Sequence, residues 1–465
     1  MRGPILFFVA AFASVAACYS GGTSPGSPDA STPAGGVTYY KDVAPIVQSV
    51  CQNCHVPGGI APFALETYDD AKANAASMVA DTQARIMPPF GAQNTSECTT
   101  RTKFKGDWSL TDAQIATIKA WHDGGDLAGD PNDAPPPNTT PPITDLPNAT
   151  SVAPATPYSI PANSTNDVFR CFVLDPQIAT TQYLTGTFVK PGNKTIVHHA
   201  LIFSVPAGAT IPPPDDPKVP DQYTCFGSAN VTGQQLVALW APGAQPYVYP
   251  DGVAHPIDPG TKFVMQIHYH PHANADFSPD TTTFQFTTTT QAPTWTVQTL
   301  LVGNFTSGVD ANGNGLENPP FLIAPDAKNQ IFTMDFTDPK KIPIPVHLLS
   351  LAAHMHLVGT DEKITIHRDA PTATNPADEC LLQVPQWNFN WQRSYEYDTD
   401  IASLPLISPG DSLKMRCTYD NTTDNPALMA ALTEAGQKQT QPVTIGETTM
   451  DEMCLGAFWI VYPTL

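Results

Sequence analysis

After residue 147 the chain consists of short runs of Val, Thr, Ile and Phe separated by Pro, Gly, Asn and Asp. No helical period of any length runs through this region, which holds most of the chain's 49 prolines. Such spacing is typical of β-sandwich or β-barrel domains. Because more than 300 residues exceed one ordinary core, the pattern predicts two all-β, jelly-roll-like sandwiches, at residues 151–290 and 291–465.

The first eighteen residues are typical of an export signal. A positively charged residue precedes an apolar run, Ile5 to Ala17, that is too short to span a bilayer comfortably. The run ends Val15-Ala16-Ala17-Cys18, which resembles the bacterial lipobox, where the cysteine becomes the lipidated first residue. We therefore expect an exported lipoprotein in the outer membrane, facing the periplasm or the surface, with residues 19–36 as a flexible linker. A plain secretory peptide with an unrelated cysteine is the alternative.

Residues 37–130 have a different, helical pattern. Apolar residues at helical spacing lead into Cys51, and a second helix is predicted over Asp69–Arg85. A capping box at Thr111 opens a third helix. These features predict a small all-α domain, which a Pro-rich linker at residues 131–150 separates from the sandwiches.

The motif Cys51-Gln52-Asn53-Cys54-His55 lies at the end of the first predicted helix. Two cysteines three positions apart can form thioethers to the haem vinyl groups, and the following histidine then points at the iron. The motif predicts one c-type haem with His55 as an axial ligand, and a zinc site or a disulfide pair is the alternative. Met87, on a loop followed by two prolines, is the expected sixth ligand, since a thioether suits electron transfer.

The segment from Val43 to Gly129 contains two further short motifs, Ala61-Pro62-Phe63 and Trp121-His122-Asp123-Gly124-Gly125. With the haem motif, they resemble the small class I cytochrome c domains that are fused to exported bacterial oxidoreductases. The resemblance implies an electron-transfer domain that is reduced by a redox protein or a small reductant. Its linker would hold it at high effective concentration beside the sandwiches.

Seven of the twelve histidines form three groups in the β-rich region: His198 and His199; His268, His270 and His272; His354 and His356. Residues i and i+2 of a strand face the same way, so His354 and His356 can bind one ion together. Adjacent His198 and His199 face opposite ways in a regular strand, so they need a bulge or a strand end to converge. Histidine clusters without a thiolate suit copper, and a methionine ligand favours Cu(I).

Six motifs follow one another in this region: Val197-His198-His199, Leu239-Trp240-Ala241-Pro242-Gly243-Ala244, Val264 to Pro271, His354-Met355-His356-Leu357, Cys417-Thr418-Tyr419 and Asp451-Glu452-Met453-Cys454. In this order, over residues 160–465, they resemble the copper type II monooxygenase family of peptidylglycine α-hydroxylating monooxygenase and dopamine β-hydroxylase. The resemblance implies two copper ions on two sandwiches. It also implies that O₂ hydroxylates an sp³ C–H bond of a small organic substrate.

The resemblance assigns a ligand set to each copper. The implied ligands of the electron-transfer copper on the first sandwich are His198, His199 and His268. The implied ligands of the catalytic copper on the second sandwich are His354, His356 and Met453. His270 and His272 have no ligand role in the family, and we expect them to be exposed or to support a ligand.

The chain departs from the peptide-amidating members of the family at three positions. These members have an arginine for the peptide carboxylate two residues before the His-x-His motif, where this chain has Ala352. They have Asn and Tyr just after the Glu-Met-Cys motif, where this chain has Leu455 and Ala457. A peptide carboxylate is therefore not the expected substrate.

The resemblance also implies two disulfides. They are Cys171–Cys225 in the first sandwich and Cys417–Cys454 beside the catalytic copper. With Cys18 assigned to lipid and two cysteines to haem, only Cys98 and Cys380 remain of the nine. Either they pair and clamp the helical domain onto the second sandwich, or both are free thiols.

These features predict an exported copper monooxygenase whose haem passes electrons to the first copper. The second hypothesis is a non-enzymatic lipoprotein for electron transfer or copper handling, which would keep both sites and turn over no substrate. The formal net charge of −21 repels nucleic acid and anionic lipid. Neither is therefore expected as a binding partner.

Overall fold

The structure is a computed structural model that describes residues 36–57, 61–137, 145–162, 164, 166–242, 244–271, 275–304, 321–336 and 342–464. The predicted export signal, Cys18 and His272 lie outside these residues. The described part is mostly β-sheet with few helices. Within it, every helix is too short or too polar to cross a membrane.

Short helices are concentrated in the first hundred described residues. The α-helices within the described ranges are α1 (Ala44–Val50), α2 (Tyr68–Ala73), α3 (Ala75–Gln83), α4 (Asp112–Asp123) and, later in the chain, α5 (Pro426–Glu434). Capping boxes at Thr67 and Thr111 open α2 and α4. The helix expected over Asp69–Arg85 is divided at Asn74, whose backbone leaves the helical region. The first four helices share a small core around Tyr39 and Trp121.

The rest of the described chain is built from short strands. They are β1 (Thr150–Val152), β2 (Val168–Leu174), β3 (Gln182–Lys190), β4 (Val197–Val205), β5 (Gln222–Thr224), β6 (Gln235–Trp240), β7 (Tyr247–Val248), β8 (Val253–Ile257), β9 (Lys262–Tyr269), β10 (Thr283–Thr289), β11 (Trp295–Asn304), β12 (Leu322–Ile323), β13 (Lys328–Phe336), β14 (Val346–His354), β15 (Gly359–His367), β16 (Asp378–Val384), β17 (Ser394–Glu396), β18 (Leu406–Ile407), β19 (Ser412–Asp420), β20 (Val443–Thr444) and β21 (Cys454–Pro463).

In the described ranges, one ten-stranded sheet runs in the order β1-β10-β3-β8-β11-β21-β14-β17, with β7 beside β3 and β18 beside β14. A five-stranded sheet, β5-β2-β9-β4-β6, shares a core with the β10-β3-β8 part of the long sheet. A four-stranded sheet, β13-β19-β15-β16, shares a second core with its β21-β14 part. This arrangement is consistent with the two predicted β-sandwiches.

Part of the helical region belongs to the second sandwich. Residues 90–105, here called the strap, run along β16 and β17, and Phe90 is buried in the core of that sandwich. The hydroxyl of Tyr395 donates to the carbonyl of Phe90 at 2.7 Å, and a disulfide joins Cys98 to Cys380. A distinct all-α domain is therefore not evident, because the strap buries its apolar side chains against strands.

The described cysteines divide into bridged and free ones. The disulfides are Cys98–Cys380, Cys171–Cys225 and Cys417–Cys454. The family resemblance implied Cys171–Cys225 and Cys417–Cys454. The sequence left open whether Cys98 and Cys380 pair or are free thiols, and in the structure they pair. Cys51 and Cys54 are free.

We expect Phe90→Ala to lower the free energy of unfolding of the second sandwich by about 3–5 kcal/mol, because truncating a buried aromatic side chain leaves a cavity. Phe90 is 2% exposed, whereas Phe226 is 51% exposed. The matched Phe226→Ala variant should lose about 1 kcal/mol or less. Urea unfolding followed by tryptophan fluorescence measures both. Equal losses in the two variants would contradict the packing role of the strap.

Candidate metal centres

The first predicted ligand set converges where β4 begins and β9 ends. In the pairing of these strands, His199 lies opposite His268, and the register shifts between Val197 and His199. This bulge lets the adjacent His198 and His199 turn toward the same point. Each of the three histidines offers one ring nitrogen, and these nitrogens all lie within 4.8 Å of one another.

The surroundings of this histidine group keep it neutral. Burial lowers the pKa of His198, His199 and His268, so their rings stay unprotonated at neutral pH. Neutral imidazole is the form that binds metal. Nδ1 of His268 and Nε2 of His198 are buried and have no hydrogen-bond partner among the described residues. Orphaned buried nitrogens of this kind fit a site that binds a copper ion.

Asp167, which the sequence did not single out, supports this group. Its Oδ1 accepts a hydrogen bond from His270 Nδ1 at 2.6 Å and lies 3.2 Å from His268 Nε2. Its Oδ2 accepts from the backbone N–H of Thr449 at 2.9 Å. Burial alone would raise the pKa of Asp167, but contacts with the two imidazoles lower it below its usual range. Asp167 therefore contacts both His268 and His270, and His270 lies beside the site as a supporting residue.

The first two ligands of the second set lie at the end of β14. The ring centroids of His354 and His356 are 5.1 Å apart. Nδ1 of His354 donates to Oε1 of Gln392 at 2.8 Å, and Nδ1 of His356 donates to the carbonyl of Asp451 at 3.2 Å. Both rings therefore leave Nε2 available for a metal.

Met453 is 5% exposed and directly precedes β21. The β14–β21 pairing ends with His354 opposite Leu455, and the same register continued places His356 opposite Met453. A carboxylate oxygen of Glu452 accepts the backbone N–H of both His356 and Met453. The backbone of Met453 thus lies beside His356, and ligation by its thioether stays a prediction.

Two buried carboxyl groups hold the backbone behind this histidine pair. Glu362 accepts the backbone N–H of His354 at 3.0 Å, as Glu452 does for His356. Burial raises the pKa of Glu362 well above its ordinary value and that of Glu452 to about 8. Glu452 belongs to a motif noted in the sequence, whereas no spacing or period pointed to Glu362.

The two histidine groups face each other between the sandwiches. The ring centroids of His199 and His354 are 6.4 Å apart. The ring of Phe389 stacks on His198 at 4.6 Å and lies 6.0 Å from His356. The two predicted copper sites therefore lie close together, and the ring of Phe389 contacts one histidine of each.

The residues of the predicted haem site fit a c-type haem. Cys51 and Cys54 follow α1 as free thiols, and Nδ1 of His55 donates to the carbonyl of Phe63 at 3.0 Å. That bond leaves Nε2 of His55 available as an iron ligand. Met87 is 37% exposed on the loop that follows α3. The haem and its ligation by Met87 stay predictions.

Residues 154–276 match the family model described as copper type II ascorbate-dependent monooxygenase, N-terminal domain. The match supports the copper type II monooxygenase family. The matched segment contains His198, His199 and His268, and it supports copper as a cofactor. It ends before the His354 group and leaves out the helical region.

Solved structures with some similarity are remote. The infectious bursal disease virus VP2 subviral particle is 9% identical, with 68% of this chain and 71% of that chain covered and a TM-score of 0.18. The CBM22-1-CBM22-2 tandem domain of Paenibacillus barcinonensis Xyn10C is 12% identical, with 63% and 82% covered and a TM-score of 0.16. Neither similarity carries an argument about this chain.

We expect bound copper to be retained until the pH falls below about 5, because metal and proton compete for the same nitrogens. Burial lowers the pKa of His354 to about 4 and that of His356 to about 3. The same shifts destabilise the copper-free protein below about pH 6.5, since the unfolded chain takes up protons that the buried rings do not.

Copper content after equilibrium dialysis at a series of pH values tests this expectation. Circular dichroism at each pH separates loss of metal from unfolding. Release of copper between about pH 7 and 6, as exposed imidazoles would give, contradicts it.

Proposed function

We propose that the protein is an exported, copper-dependent monooxygenase that hydroxylates an sp³ C–H bond of a small organic substrate with O₂. The observation that carries the proposal is the convergence of His198, His199 and His268 within 4.8 Å, inside the segment that matches the monooxygenase family. The opposing group of His354 and His356, with Met453 at its edge, supports a second copper. Bound copper would supply the redox chemistry that activates O₂.

The chain's own residues orient the two ligand sets. Gln392 and the carbonyl of Asp451 each fix one imidazole through Nδ1, and a carboxylate oxygen of Asp167 lies 3.2 Å from Nε2 of His268. The neutral rings and the thioether of Met453 would favour the reduced, singly charged metal. The ring of Phe389 lies 4.6 Å from that of His198 and 6.0 Å from that of His356, and so contacts a histidine of each group.

The substrate is proposed to lack a carboxylate. Ala352 and Ala457 are cross-strand partners, and both are buried. A charged side chain at either position would lose its hydration without gaining a partner. The methyl group of Ala352 therefore stands where the peptide-amidating members have their cationic anchor, and that of Ala457 stands where they have a tyrosine.

A c-type haem at Cys51 and Cys54, ligated by His55 and Met87, is the proposed source of electrons. A redox protein or a small reductant would reduce it, and anchoring through Cys18 would hold the protein at the membrane. The three disulfides favour an exported protein, since such bonds persist in oxidising compartments.

The competing function is non-enzymatic electron transfer or copper handling. We expect Met453→Leu to lower substrate-dependent oxygen uptake by about 100-fold or more, because the thioether is lost while the side-chain volume is kept. Met450→Leu is the matched control, since Met450 is three residues away and 37% exposed. An oxygen electrode, used with copper-loaded protein and a panel of amines, aromatics and aliphatics, measures the effect.

Equal uptake by the two methionine variants would exclude the catalytic role of Met453. A wild-type protein that binds copper but consumes no oxygen with any member of the panel would favour the non-enzymatic function.

We expect His198→Ala to slow haem reoxidation at least about tenfold, because removal of a ligand weakens the first copper site through which the electrons are proposed to pass. The haem of pre-reduced protein is followed at its α-band after mixing with oxygen and substrate. His367→Ala, at an exposed histidine paired with Asp378, is the control. Reoxidation that is unaffected by His198→Ala would rule out this electron route.

A further inference from the structure

A carboxylate and two imidazoles meet where β2 begins and β9 ends. Asp167 directly precedes β2, and His270 directly follows β9. The two strands pair with Val168 opposite Tyr269, and the same register continued places Asp167 opposite His270. His268 is two positions before His270, so both imidazoles lie on the face that carries the carboxylate. Each member of this group offers one ligand atom, and the three atoms lie within 4.8 Å of one another.

One carboxylate oxygen is the point where the group converges. Oδ1 of Asp167 accepts a hydrogen bond from Nδ1 of His270 at 2.6 Å, and a metal ion would replace the proton of this bond. Nε2 of His268 lies 3.2 Å from the same oxygen, yet it is buried and has no hydrogen-bond partner among the described residues. Oδ2 already accepts the backbone N–H of Thr449. Oδ1 and the unpartnered nitrogen are therefore a pair of ligand atoms ready for one ion.

This group differs in chemistry from the first ligand set, with which it shares His268. The first set adds His198 and His199 and is uncharged, which suits singly charged Cu(I). Asp167 adds a negative charge and a hard oxygen, and a mixed nitrogen and oxygen set favours divalent Cu(II). The ring centroids of His198 and His270 are 5.8 Å apart. Two ions held side by side at this spacing would repel each other and compete for His268, so we expect one ion at a time.

We propose that Asp167, His268 and His270 are a second ligand set at the first metal centre, and that this set binds the divalent ion, Cu(II). The inference rests on the proposed copper function, and it gives His270 a ligand role that the family resemblance does not imply. Side-chain exposure rises from 2% at His268 through 11% at Asp167 to 32% at His270. The set therefore extends from the interior to solvent, which gives an aqueous divalent ion direct access to it.

The test is the affinity of the full-length protein for each oxidation state of copper. Competition with a Cu(I) chelator under anaerobic, reducing conditions measures one affinity, and competition with a Cu(II) chelator in air measures the other. We expect His270→Ala to weaken Cu(II) binding at least about 100-fold and Cu(I) binding less than about threefold, because only the divalent set loses a ligand. His198→Ala should have the opposite effect, because only the uncharged set loses a ligand.

His367→Ala is the matched control, since Nδ1 of His367 also donates to an aspartate, Asp378, at 2.8 Å. It should leave both affinities unchanged. The pair His354 and His356 is intact in every variant, so a difference between variants arises at the first centre.

The outcomes separate this inference from the proposed function. A wild-type protein that binds neither oxidation state of copper overturns both. If His198→Ala weakens the binding of both states equally and His270→Ala weakens neither, every ion is held by the three histidines, and only the second ligand set is overturned. An equal loss of both states in His270→Ala also overturns it. If His198→Ala does not fold, His198→Gln keeps the side-chain volume and gives the same test.

Discussion

The backbone pairing that joins the two sandwiches is the constraint on which the rest of the structure depends. Strand β8 of the first sandwich pairs in parallel with β11 of the second, at Val253 and Trp295, and one sheet therefore runs through both. Gln298 adds a side-chain hydrogen bond to Gln235 at 2.9 Å. This backbone pairing fixes the position of one sandwich relative to the other. The two histidine groups are therefore kept close together without relying on a flexible linker.

The histidine groups were the most predictable part of the site. The pair His198 and His199 could converge only at an irregular point of a strand, and the structure has a bulge there. Asp167 and Gln392 escaped prediction because each lies far in sequence from the imidazole that it contacts. A contact of this kind leaves no period or spacing in the chain, so only the three-dimensional fold reveals it.

In the helical region, too, features set by neighbouring residues were predicted from the sequence, whereas features set by distant residues were not. The capping box at Thr111 is a local signal, and the helix that it predicts is present. The strap is held by partners almost three hundred residues away, and its own residues show neither a helical nor a strand period. Pattern analysis therefore assigned Phe90 to a helical domain, whereas its burial belongs to the second sandwich.

The Cys98–Cys380 disulfide spans a sequence separation of 282 residues, and this span sets an order of assembly. During synthesis Cys98 exists long before its partner, together with the nearby thiols of Cys51 and Cys54. A haem attached to these two at that stage would remove the nearest competitors for wrong pairing. Haem attachment at Cys51 and Cys54 would then keep Cys98 from pairing wrongly before Cys380 is available.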